Sequence, residues 1–189
     1  MLSIINKFLS FFILCMLIQS CLGPSSEINC REYFLKARKI VNTSNSQNLD
    51  SALYFINQSL KCENDKIPAV DLKVYILRAL GRYDEGMRFI DSQSLGNFQY
   101  EYKKQLFSDN FRSFTLDSIS RQILCKEMDS YLTAYITNHN LSDTEEEQAY
   151  FDLFAIKERY MNRQAISSQI DSLIDSKPEK KKFFEFLRN

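Results

Sequence analysis

A nine-residue pattern in this chain returns 34 positions later. Leu49-Asp50-Ser51-Ala52-Leu53-Tyr54-Phe55-Ile56-Asn57 aligns with Tyr83-Asp84-Glu85-Gly86-Met87-Arg88-Phe89-Ile90-Asp91. Asp50/Asp84, Phe55/Phe89 and Ile56/Ile90 are identities, and the small residues Ala52 and Gly86 occupy equivalent places. A period of this length suits one helical hairpin, which is too small to bury its own apolar face and must stack on neighbours. The apolar spacing agrees. Tyr33, Phe34, Ala37, Ile40 and Val41 form one stripe at helical period, and Ala52, Leu53, Phe55, Ile56 and Leu60 a second. Val70, Val74, Leu77 and Leu80 form a third, and Met87, Phe89 and Ile90 a fourth. No segment sustains the strict alternation of a strand, and 4 Gly with 3 Pro suit long helices.

The second copy carries a more specific pattern. Leu80-Gly81-Arg82-Tyr83-Asp84-Glu85-Gly86 resembles the inter-helix turn of tetratricopeptide repeats. The resemblance implies that Gly81 ends a helix at positive φ, that Tyr83 staples the turn, and that Gly86 lets two helices approach closely. The family's closing Pro is replaced by Asn64 and Phe98, and the first copy has Gln47 in place of the turn Gly. The resemblance covers residues 29–94. The expected fold is all-α, with antiparallel helical hairpins stacked as a short tetratricopeptide-like solenoid or as an irregular helical bundle. Residues 95–114, rich in Phe and Tyr, read as an irregular connection, and residues 115–189 as C-terminal helices. Within the latter, one helix runs from Thr115 to about Asn138. Ser142-Asp143-Thr144-Glu145 forms a capping box. A break is expected near Met161-Asn162, and Pro178 suits the first turn of a terminal helix.

The N-terminus reads as targeting sequence. Lys7 precedes an apolar run from Phe8 to Ile18, too short for a bilayer of about 30 Å but long enough for a signal-peptide core. The following Leu17-Ile18-Gln19-Ser20-Cys21 resembles the lipobox of bacterial lipoproteins. That family implies a signal peptide over 1–20, cleavage between Ser20 and Cys21, and acylation of the Cys21 thiol. A lipidated tether over 21–28 and a single helical domain over 29–189 then follow. The implied partner of Cys21 is a lipid bilayer. The implied location is the cell envelope, with Leu22 after the cysteine pointing to the outer membrane of a Gram-negative bacterium.

Charge and reactive residues narrow the function. The 24 basic residues balance 24 acidic ones, so no net field draws the chain to nucleic acid. Cys30 and Cys62 lie symmetrically about a predicted turn, where they form either a disulfide or two buried thiols. Cys125 sits on an apolar helix face. His139, the one histidine, lies at a predicted helix end and reads as a cap. No phosphate loop, zinc motif or nucleophile elbow occurs, so no catalytic residue, metal or cofactor is expected. Glu145-Glu146-Glu147 reads as a solvated helix start. Lys180-Lys181-Lys182 beside Phe183, Phe184 and Phe186 reads either as an amphipathic surface or as a docked terminal helix. Asp50-Ser51-Ala52, Asp117-Ser118-Ile119 and Asp171-Ser172-Leu173 resemble the O-glycan acceptor of exported Bacteroidetes proteins.

Two functions follow as expectations. The first is a membrane-anchored, non-enzymatic adaptor or scaffold with a protein or peptide partner. Its groove would be lined by Asp71, Lys73, Tyr75 and Arg78. The alternative is an envelope lipoprotein that binds a small ligand, glycan or lipid through the aromatic stretch Phe98 to Phe114.

Overall fold

The structure, a computed structural model, describes residues 25–43, 48–62 and 66–188. Its described residues are helical, with no strand among them. In order they form α1 (Ser25–Thr43), α2 (Leu49–Ser59), α3 (Ile67–Ala79), α4 (Tyr83–Asp91) and α5 (Tyr102–Thr115). These are followed by α6 (Ser118–Asn138), α7 (Asp143–Lys157), α8 (Arg163–Ser176) and α9 (Lys181–Arg188). Short 3-10 turns at Leu95–Asn97 and Pro178–Lys180 precede α5 and α9. The expected all-α class is what the chain adopts. Ser20, Cys21, the signal segment, Gln47 and Asn64 lie outside the described residues. The chain divides inside α3, between residues 69 and 70, into two units.

In the first unit α1 packs against α2. Cys30 near the start of α1 and Cys62 just beyond α2 form a disulfide, with Cα atoms 6.3 Å apart. One turn inward Tyr33 and Phe55 stack at 6.2 Å, and the Lys36 ammonium lies over both rings. Ala37, Ala52 and Ile56 are fully buried. Helix α1 starts at Ser25, inside the stretch read as a tether. The disulfide spans 32 residues. Removing a loop of that size from the unfolded ensemble corresponds to about 3–4 kcal/mol. Cys30→Ser is therefore expected to lower the stability of this hairpin by about that amount, read from urea titrations with and without reductant.

In the second unit α4 packs on α5, α5 on α6, α6 on α7, and α8 on α9, with α9 also meeting α7. Local sequence sets the boundaries. Gly81, at φ +69°, ends α3, with Arg82 N–H bonded to the Leu77 carbonyl at 2.9 Å and Gly81 N–H to that of Arg78 at 3.0 Å. That pairing closes the helix end at a conformation only glycine adopts cheaply. Asp117 caps α6 through Ile119 N–H and Ser120 N–H, Ser142 caps α7 through Glu145 N–H, and Asn162 caps α8 through Ala165 N–H. One continuous core joins α5 to α9. It includes Tyr102, Leu106, Leu124, Cys125, Met128, Leu132, Leu153, Phe154, Ile170 and Phe184.

Three expectations need correction. Residues 95–114 are not irregular throughout, because α5 begins at Tyr102. Tyr102 and Leu106 point into the core at i, i+4, and the helix starts 35 residues after α3, close to the repeat period. Tyr83 does not merely staple its own turn; it stacks on Phe114 of α5 at 4.7 Å, nearly parallel. The triplet Glu145-Glu146-Glu147 is not simply solvated. Glu146 pairs with Lys177 and Lys180, and Lys180 is itself buried, with a second bond to Asp143. Burial opposes ionisation of Glu146, but the hydrogen bonds from Lys177 and Lys180 outweigh it and hold the carboxyl below its ordinary range. The C-terminal segment thus docks through Phe184 and this ion network, while Phe186 stays exposed.

Gly86 has a separate reason to lack a side chain. A Cβ there would lie 2.7 Å from Cδ1 of Phe111, a ring that is itself buried at 2 % exposure. Gly96 has nothing within 4 Å of such an atom. Gly86→Ala is expected to destabilise the unit by about 1–3 kcal/mol, the usual cost of overpacking, in chemical denaturation. Gly96→Ala should leave the midpoint unchanged, which separates the steric cause from a general intolerance of alanine.

Candidate functional site

Helices α3, α5 and α7 run in the same direction, because the side chains that join them do so in one register. Lys103 of α5 meets Asp152 of α7, and seven residues on, Asn110 meets Arg159 in the turn just after α7. On α3, Asp71 feels the charges of Lys103 and Asp152, and Arg78 shares a cavity wall with Asn110. Two polar rows therefore run from α3 over α5, one to α7 and one to the turn that follows it, about 10 Å apart, the rise of seven helical residues.

The first row is nearly self-contained. Lys103 Nζ lies 2.6 Å from Asp152 Oδ2, and the Tyr102 hydroxyl donates to the same oxygen at 2.8 Å. The Lys103 ammonium also lies over the rings of Tyr102 and Phe107, at 5.5 and 5.8 Å. Burial, then the charge and hydrogen bond of Asp152, push the Tyr102 phenol far above its ordinary range, so it is a fixed donor. The second row is different. The Arg78 guanidinium lies 5.9 Å from the centre of the Tyr75 ring, and Arg159 donates to the neutral amide oxygen of Asn110 at 2.6 Å. Among the described residues neither guanidinium forms an ion pair, and both are exposed.

Between the rows lies a notch of about 130 Å³ lined by Asp71, Val74, Tyr75, Arg78, Phe107, Asn110 and Phe111. That is too small for a drug-sized molecule, which needs roughly 300 Å³ or more, and is about the size of one aromatic side chain. Tyr75 is 45 % exposed at its rim, an aromatic ring left open to solvent.

Three of the four residues expected to line a groove thus come together: Asp71, Tyr75 and Arg78. Lys73 does not join them. Its ammonium sits 4.0 Å over the Phe89 ring of α4, and burial lowers its pKa. The reason is helical geometry. Positions 71, 75 and 78 share one face, whereas position 73 is turned about 200° from position 71. Phe107 and Phe111 were singled out only within the aromatic stretch read as a small-ligand surface, and Asn110 not at all, because α5 was not recognised as a helix; Arg159 lies in the turn after α7, where periodicity gives no signal. Lys103-Phe107-Asn110, spaced i, i+4, i+7, is the signal that would have put the α5 residues on one face. Cys30 and Cys62 lie in the other unit as the disulfide already described. His139 caps α6, its Nδ1 3.0 Å from the Tyr135 carbonyl, and Cys125 is a buried thiol. Among the described residues no group of three His, Cys, Asp or Glu side chains is arranged to hold a metal. Nor is any helix there long and apolar enough to cross a membrane.

Asp71 supplies a pH test of the first row. Burial raises its carboxyl above the ordinary 3.8, with Lys103 pulling it down and Asp152 pushing it up. A raised folded-state value means that the protonated form is favoured by folding. That contribution is complete below the ordinary value and is lost as pH rises through the folded one. Asp71→Asn is expected to raise the thermal midpoint at neutral pH, and the gap should close as pH falls through the carboxylate range. Calorimetry at several pH values checks this; a less stable variant at neutral pH would mean that Lys103 outweighs burial.

Comparison with family models, with curated proteins and with solved structures finds no match to this chain.

Proposed function

We propose that this chain is a lipid-anchored, non-enzymatic adaptor whose second unit captures an extended segment of a partner protein in the groove of α3, α5 and α7. The observation that carries this reading is the notch between Tyr75, Phe107 and Phe111, sized for one side chain and bordered by Arg78 and Arg159. A segment placing an apolar residue in the notch and a carboxylate beside the two guanidiniums would satisfy both chemistries at once. The three helices run alongside one another, as in a tetratricopeptide-like solenoid, and such folds bind peptides along this kind of face. The lipobox-like Leu17-Ile18-Gln19-Ser20-Cys21 supports attachment to a membrane of the cell envelope through acylated Cys21. A single acyl chain anchors only marginally, so stable attachment calls for the several chains that lipoprotein processing adds.

The test is affinity purification of the tagged protein from crosslinked membranes, with three variants in parallel. Cys21→Ala is expected to leave the membrane fraction. Tyr75→Ala with Phe107→Ala should stay anchored but lose the partner, and Arg78→Glu with Arg159→Glu should lose it too. Recovery of the wild-type protein alone would overturn the adaptor reading. Membrane retention of Cys21→Ala would overturn the anchor reading independently.

A further inference from the structure

A second cavity, separate from the groove, opens where the segment between α4 and α5 meets the end of α6 and the start of α7. It measures about 380 Å³ and is lined by Leu95, Gly96, Phe98, Gln99, Tyr100, Glu101, Tyr135 and Glu145. It is more an open depression than an enclosed chamber, with a volume in the range of small-ligand sites. Its walls are ordered by ring contacts. Tyr100 lies parallel to Tyr102 at 5.9 Å, Tyr102 meets Tyr135 at 5.0 Å, and Tyr135 stacks on His139 at 4.3 Å. Phe98 is buried and anchored near Phe107. The rim at Gly96 is open, with nothing within 4 Å of where a side chain would begin.

The charge in this cavity is unbalanced. Glu101 and Glu145 both line it, and among the described residues neither is ion-paired to a Lys or Arg. Glu145 accepts the Tyr135 hydroxyl through Oε1 at 2.7 Å, and among the described residues no side-chain donor is bonded to its second oxygen. Burial, then the hydrogen bond and charge of Glu145, hold the Tyr135 phenol above its ordinary range, so it remains a donor and does not compete as an anion. Aromatic faces and two carboxylates both attract positive charge and both repel an anion. Two carboxylates alone are too few for a calcium ion, which takes six to eight oxygens. The exposed side chain of Leu95 and the partly exposed ring of Tyr100 instead offer area for alkyl groups.

We infer that this cavity binds an organic cation: an ammonium group on a short aliphatic carrier, its charge shared by Glu101 and Glu145 and its alkyl groups against Leu95 and Tyr100. The ammonium chemistry is common to a lysine side chain and to a lipid headgroup. The site does not depend on the groove of α3, α5 and α7, and either can be present without the other.

Isothermal titration of the full-length protein tests the inference with four probes: choline, its uncharged isostere 3,3-dimethylbutan-1-ol, Nα-acetyl-lysinamide and the neutral Nα-acetyl-norleucinamide. Saturable binding of at least one cation is expected, at least tenfold tighter than its neutral counterpart and weaker at high salt. The tighter of the two cations identifies the headgroup or the peptide as the source. Glu101→Gln and Glu145→Gln should each weaken binding several-fold. Glutamine at 145 still offers an oxygen to Tyr135, and residue 101 is exposed, so both variants should keep the wild-type circular dichroism. Absence of saturable binding by either cation overturns the inference. So does equal binding of the neutral isosteres, or unchanged affinity in both variants.

Discussion

Phe111 rests on bare backbone at Gly86, and this contact sets how closely α4 stands to α5. Much of the second unit follows from that distance. With α5 drawn in, Tyr83 reaches Phe114 and stacks on it, so the start of α4 is tied to the end of α5. The same Phe111 forms the floor of the notch beneath Tyr75 and Phe107. A side chain at position 86 would therefore disturb the hairpin and the groove together. Close packing makes such a position intolerant of even one extra carbon.

Charged groups inside the unit are used to hold helices in register rather than to add net stability. Asp152 takes both Lys103 and the Tyr102 hydroxyl, which binds α5 to α7. Asp129 of α6 takes Lys157 and Tyr160, which binds α6 to α7 and the turn after it. Glu146 takes Lys177 and Lys180, which fastens the start of α7 to the segment leading into α9. Each ion pair is largely shielded from water, where desolvation consumes most of the Coulombic gain but an unpaired charge would be costly. The effect is selective. A helix displaced by one turn would strand a buried Lys or Asp, so these pairs penalise other registers of the hairpins.

Two pairs of charged residues stand apart from one another. Among the described residues Arg78 and Arg159 form no ion pair at one end of the groove, and Glu101 and Glu145 form none in the cavity by the α4–α5 connection. A chain of zero formal net charge thus carries two surfaces of opposite preference. Net charge bounds the long-range field and says nothing about such local separation.

Periodicity in the sequence was enough to determine the helical class and several boundaries. Gly81, Ser142 and Asn162 act within a turn of their own positions, and local hydrogen bonding is legible without tertiary contacts. The symmetric placement of Cys30 and Cys62 about a turn made a disulfide one of two open readings for the same reason. Helix α5 was less legible because its aromatic residues serve three purposes. Tyr102 and Phe111 fill the core, Phe107 faces the groove, and Phe114 receives Tyr83, so no single stripe stands out. Only the tertiary structure decided that Asp71, Tyr75 and Arg78 would meet Phe107 and Asn110 while Lys73 turned to Phe89. It also decided that Glu101 and Glu145, 44 positions apart, would share one cavity. Those outcomes depend on how far apart and in which register separate helices pack, and that is settled by contacts such as Phe111 on Gly86, which spacing along one helix does not encode.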